Sequence, residues 1–140
     1  IVVAIIGILA GVGVPMYNGY MASAKVESAK TNHSNIKSYI SATLTKCAVD
    51  SSQIIKLGSR NVRCNYSASQ WASEFTTYFN ALNKNPYGGT TSARRTSSSS
   101  TLGETSIYYS GNNTIRLRTR IADSGTQYAP ASGYDEITKE

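Results

Sequence analysis

Histidine and cysteine are nearly missing from this chain: its 140 residues contain one histidine, His33, and two cysteines, Cys47 and Cys64. A zinc site made from these would still need a carboxylate, and a nucleophile–base pair has almost nothing to draw on. Charge is sparse too, at 16% of residues, where a quarter is usual. Acids are the scarcer sign, eight against fourteen lysines and arginines, which leaves a formal net charge of +6. No phosphate loop, G-x-S-x-G, H-E-x-x-H or C-x-x-C occurs. These absences lead to the expectation of a non-enzymatic protein with no metal and no cofactor. Ser, Thr, Asn and Gly stand in for the missing charge, a surface chemistry common in secreted proteins. The length allows one domain, or one domain plus a non-globular arm.

Charge is also missing locally, with no charged residue before Lys25. Ile1 to Met16 reads IVVAIIGILAGVGVPM, only apolar residues, glycine and proline. As a helix these sixteen residues reach roughly 24 Å, short of a hydrocarbon core of roughly 30 Å. By itself, then, the run is too short to span a membrane comfortably. It has neither the basic flank nor the small-residue cleavage site of a signal peptide. A truncated signal or a buried core helix would account for it. So would a processed chain whose start lies upstream. A surface apolar all round would make a soluble monomer aggregate.

The segment IVVAIIGILAGVGVPMYNGYMASAKVESA resembles the N-terminal helix of type IV pilins and their pseudopilin relatives. Gly7-Ile8-Leu9-Ala10, Pro15, Tyr17 and Tyr20 match the family pattern in order, and the likeness covers about the first thirty residues. The resemblance implies a methylated N-terminal residue and an early glutamate upstream of Ile1. It implies an α+β fold, a long N-terminal α-helix packed against a small antiparallel β-sheet head. Residues 1–24 would be membrane anchor and filament core, and residues 25–140 the globular head. The implied function is a major pilin, polymerised as a helical homo-oligomer into an extracellular pilus for adhesion, motility or DNA uptake. The implied partners are the inner membrane before assembly and the pilus assembly machinery. Two alternatives are a secretion-type pseudopilin in a short periplasmic filament and a membrane-tethered periplasmic binding module.

Within the apolar run, Ile1, Val2, Val3, Ile5, Ile6, Ile8, Leu9, Val12 and Val14 are the candidate filament-core residues. Gly7, Gly11, Gly13 and Pro15 weaken the helix, by about 1 kcal/mol for each glycine and about 3 kcal/mol for proline. Two readings follow: close packing through small residues, and a segment that loosens between Gly7 and Pro15 on assembly. With an exported head, Cys47 and Cys64 are read as a structural disulfide. Some secretion pseudopilins bind calcium near the C-terminus. Asp123, Asp135 and Glu136 lack a regular ligand spacing, so no calcium site is expected.

Past Lys25 the pattern changes. Val26, Ala29, His33, Ile36, Ile40, Thr43 or Leu44, and Cys47 recur at three- and four-residue steps, a single helical stripe. His33 lies in that stripe and is read as a hydrogen-bonded packing residue. Ser67-Ala68-Ser69-Gln70 is a capping box, with Tyr66 and Trp71 placed as a hydrophobic staple. Trp71, Phe75, Tyr78, Phe79 and Leu82 continue a helical core face, ended by the turn signal Asn85-Pro86-Tyr87-Gly88-Gly89. Thr90–Thr101 holds nine Ser or Thr in twelve residues. It reads as an exposed loop, with an edge strand at most, that could accept O-linked sugars. Thr105–Tyr109, Thr114–Ile121 and Tyr134–Lys139 are strand candidates, with turns at Gly111-Asn112 and Asp123–Gly125. In the middle strand Ile115, Leu117, Thr119 and Ile121 alternate with Arg116, Arg118 and Arg120, one face packed and the other wet. With Arg94 and Arg95 these arginines form a candidate patch for DNA phosphates or anionic surface sugars. A solvated sheet face, or salt bridges to a neighbouring subunit, would explain the same row.

Overall fold

The apolar run and the amphipathic stripe are one helix. A computed structural model describes residues 1–121 and 127–140, with backbone alone at residues 14 and 15. In it, α1 (Val2–Val49) is unbroken for 48 residues. The uncharged stretch runs on past Pro15 to residue 24, so it covers about 36 Å as a helix at 1.5 Å per residue. That is longer than the sixteen-residue run suggested. The loosening expected between Gly7 and Pro15 concerns an assembled state; in the single chain the backbone there is helical.

The fold is α+β. Strands β1 (Ile54–Leu57) and β2 (Arg60–Arg63) form an antiparallel hairpin. Then come α2 (Ala68–Leu82), β3 (Ala93–Arg94), β4 (Thr105–Ser110), β5 (Thr114–Arg120), β6 (Tyr128–Ala129) and β7 (Asp135–Thr138). The main sheet has the order β3-β4-β5-β6, and β7 also pairs with β5. It is antiparallel except for the short parallel pairing of β3 with β4. The turn expected at Asp123–Gly125 lies outside the described residues. The β1–β2 hairpin was not anticipated, although Gly58-Ser59 directly after the mostly apolar Ile54–Leu57 is a hairpin signal. Gly58 has φ +59°, which glycine adopts without strain.

Both helices pack on the sheet, α1 against β5 and β7 and α2 against β3 and β4. The shared core joins Ile36, Ile40 and Leu44 of α1, Trp71, Phe75 and Phe79 of α2, and Ile107, Ile115 and Leu117 of the sheet. Helix α2 starts as expected. The Ser67 side chain accepts from the Gln70 N–H, and the Gln70 side chain accepts from the Ser67 N–H. The Tyr66 and Trp71 rings meet edge to face at 6.4 Å. Leu82 departs from the expected core face and is exposed. The chain turns away at Asn83, whose N–H closes the helix on the Phe79 carbonyl.

The Ser/Thr-rich segment is not simply an exposed loop. Ser92 and Ser99 are buried and therefore closed to glycosylation. Ser92 Oγ donates to the Phe79 carbonyl, and the Ser99 N–H donates to Ser106 Oγ at 2.8 Å. The segment folds back on the sheet because its hydroxyls complete buried polar groups. Chief among these is the fully buried Glu104 carboxylate, which accepts from Arg94, Thr91 and Ser99.

Asn85 organises the turn after α2. Its Nδ2 donates to the carbonyls of Thr91 and Leu102, and its Oδ1 accepts from the Tyr87 N–H. Gly103 sits against it with φ +75°, where an added Cβ would lie 2.2 Å from Asn85 Oδ1 and 2.8 Å from Tyr87 Cδ2. Gly103→Ala should therefore cost about 1–2 kcal/mol for the left-handed backbone and about 1–3 kcal/mol for the overlap. Urea unfolding of the detergent-solubilised chain would measure it. A variant as stable as the parent would show that Asn85 can move aside.

Candidate functional site

The first half of α1 touches nothing. Every side chain described between residues 1 and 24 is exposed, and Ile1, Val3 and Ile8 are 102%, 83% and 67% exposed. The glycines Gly7, Gly11 and Gly13 also face open space, with no atom beyond their local helix backbone within 4 Å of where a Cβ would stand. Nothing inside the chain therefore requires glycine at these positions. Small residues on a bare helix let another backbone or side chain approach closely. The helix is long and apolar enough to cross a membrane, with a mean hydropathy of 1.8 in an eighteen-residue window. Contacts with the rest of the chain include Lys25, whose ammonium stands 5.9 Å from the Tyr87 ring, and the Asn32 amide, which donates to the Lys84 carbonyl.

Beyond these contacts, the second half of α1 is fastened to the head at two buried places. At its end, Cys47 and Cys64 form a disulfide with Cα atoms 5.1 Å apart, both residues buried. About two turns past its start, His33 lies between two strands. Its Nδ1 is 3.0 Å from Thr119 Oγ1 and its Nε2 is 2.6 Å from Asp135 Oδ2. Thr119 is in turn 2.6 Å from Thr105 Oγ1. Lys37 donates to the other oxygen of Asp135 at 3.1 Å. Thr119, His33 and Asp135 follow one another like a hydrolase triad. Thr119, however, is wholly buried and its hydroxyl is engaged by Thr105, so no substrate can reach it. The cluster is a clasp between helix and sheet. It also shows what Asp135 does: it binds His33 and Lys37, while Glu136 binds Arg116, and no metal-holding group occurs among the described residues. Asp123 lies outside them.

Burial opposes the charge on Asp135, yet hydrogen bonds from His33 and Lys37 and the positive charge beside it prevail and hold the carboxyl below its usual range. A depressed carboxyl stabilises the fold above its unfolded pKa, near 3.9, and loses that effect as pH falls through the folded value. Asp135→Asn should thus be less stable than the parent at neutral pH. The gap should close as pH drops below about 4. Denaturant midpoints of both chains at neutral and acidic pH test this; a gap that ignores pH would rule out the charge as its source.

The arginines are gathered but not equivalent. Cross-strand pairs put Tyr108 opposite Arg116, Ser106 opposite Arg118 and Tyr128 opposite Arg120, all on the outer face. Arg116 donates to Glu136 at 2.6 Å and lies 4.3 Å from the Tyr134 ring. Arg94 binds Glu104, and Arg95 donates to Ser69 Oγ and lies 5.6 Å from the Tyr109 ring. Arg118 rests 4.3 Å from the Tyr128 ring. The outer face is therefore partly neutralised and partly tiled by tyrosine, rather than the open wet row expected. The tyrosines and Glu136 were absent from the sequence-based patch. Alternation along one strand shows which residues share a face, not which partners other strands bring.

No protein-family model matches the chain, and neither does any curated protein or any solved structure. The long apolar N-terminal helix, the small, mostly antiparallel sheet and the disulfide together fit a pilin-like fold.

Proposed function

We propose that this chain is the structural subunit of an extracellular type IV pilus-like filament. Its apolar helix would anchor it in the inner membrane and, once the assembly machinery extracts it, become the filament core. One observation carries the reading: a bare helical arm, apolar all round, attached to a head that is complete without it. The eight exposed residues Ile1, Val2, Val3, Ile5, Ile6, Ile8, Leu9 and Val12 would each gain about 1.5–3 kcal/mol on full burial. Lipid and neighbouring copies of the same arm both supply such burial, and a helical homo-polymer supplies it at every subunit. The head would then face outward, where adhesion, motility or DNA uptake would act through it. No catalytic role is proposed.

Electron microscopy of material sheared from cells, with mass spectrometry of the filaments, tests the reading. Long filaments composed of this chain are the expected result. A chain that stays in the membrane fraction, with no filament and with impaired protein export, would replace the pilus by a pseudopilin.

A further inference from the structure

A hollow of about 540 Å³ opens on the outer face of the sheet, lined by Ser98, Arg118, Gln127, Tyr128, Ala131 and Gly133 among others. Its volume falls within the roughly 300–1,000 Å³ of small-molecule sites. Among the described residues, Arg118 is the charged group in its wall. Arg94 and Arg116 each have a carboxylate. Arg118 makes neither a hydrogen bond nor an ion pair among the described residues, and its Nε is buried without a partner. The guanidinium is nevertheless held in place, stacked 4.3 Å from the Tyr128 ring. The Tyr128 hydroxyl is itself fixed by Ser98 Oγ at 2.9 Å.

We propose that this hollow binds the carboxylate-bearing sugar of an acidic glycan, with Arg118 as the carboxylate receptor. A guanidinium offers a planar fork that matches a carboxylate with two parallel hydrogen bonds, and preorganisation reduces the ordering cost of using it. Beside the fork stand two hydroxyls, each able to donate and accept, and the Gln127 amide. This lining suits the hydroxyl groups of a sugar. Gly133 has no side chain to hold a ring away. An aromatic acid would find the Tyr128 face already covered by Arg118. A nucleic acid would need a run of free cations along its backbone, and Glu136 interrupts the row at Arg116. The proposal concerns the head alone and stands whether or not the chain forms filaments.

Calorimetric titration of the full chain in detergent micelles, with sodium glucuronate, with glucose and with a thymidine oligonucleotide, tests it. Glucuronate should bind saturably, with glucose at least about tenfold weaker. Arg118→Gln should weaken glucuronate by about tenfold or more, and Arg118→Lys should recover only part, since an ammonium lacks the fork. Arg116→Gln should change nothing. Ala131→Trp, which fills the hollow and leaves Arg118 intact, should abolish binding even if Arg118→Gln is poorly folded. The proposal is overturned by equal binding of glucose and glucuronate, or by no saturable heat with glucuronate. Binding that survives Ala131→Trp overturns it as well. Oligonucleotide binding that depends on Arg118 and falls steeply with salt would assign the face to nucleic acid instead.

Discussion

Ile5→Asp should abolish filament assembly while leaving the head folded. Ile5 is half exposed and its half of α1 has no contact with the sheet, so the substitution removes nothing that holds the single chain together. In a filament built on these helices the same position would be surrounded by copies of the arm. A carboxylate there would be buried with no lysine or arginine side chain beside it, since none occurs between Ile1 and Lys25. Burying an unpaired charge is prohibitive and ends in neutralisation or exclusion, and here it would recur at each subunit. Ile5→Leu conserves volume and should assemble. Sheared filaments counted by microscopy, together with intact Cys47–Cys64 and an unchanged unfolding midpoint of the solubilised chain, separate assembly from folding. Normal filaments from Ile5→Asp would show that residues 1–24 are not the core of the polymer.

The double substitution Cys47→Ser and Cys64→Ser should lower stability by about 3 kcal/mol, the chain-entropy value for a loop of this size. The link spans seventeen positions and closes a loop that contains the whole β1–β2 hairpin. Without it, the hairpin depends on a few buried side chains, chiefly Ile55, Leu57 and Val62. An isolated two-stranded hairpin is marginal in water, so hydrogen exchange should rise first there. For a head of about a hundred residues the melting temperature should fall by roughly 10–15 °C. Scanning calorimetry of the double variant against the parent measures this. An unchanged melting temperature would mean that packing around the hairpin already provides the constraint. In the parent, thiol labelling without reductant should find no free cysteine, since both are in the bond.

Local signals were the most legible. The capping box at Ser67, the stripe from Ala29 to Cys47 and the alternation of β5 are each written within a few residues, and each element occurs where its period placed it. Two-residue strands such as β3 and β6 have no period of their own and exist because β4 and β5 offer them edges. The clasp at His33 depends on Asp135, 102 positions away, and nothing near His33 encodes that meeting. Glu104 is similar: an acid beside a Ser/Thr-rich stretch looks exposed until the loop hydroxyls and Arg94 are folded over it. The apolar arm was legible from composition alone, because a surface without charge or polarity needs no partner inside the chain to be recognised.

The two fastenings of α1 also determine how the molecule bears load. His33 and Cys47 are fourteen positions apart, about 21 Å along the helix axis. Any pull on the arm directed along that axis loads both attachments in parallel, in shear, together with the buried side chains between them. A pull across the axis would instead strip contacts one after another, starting from the hydrogen-bonded end at His33 and stopping at the covalent one. The head should therefore resist tension along α1 far better than peeling from it, the mechanical anisotropy of a glued lap joint with a rivet at its far end.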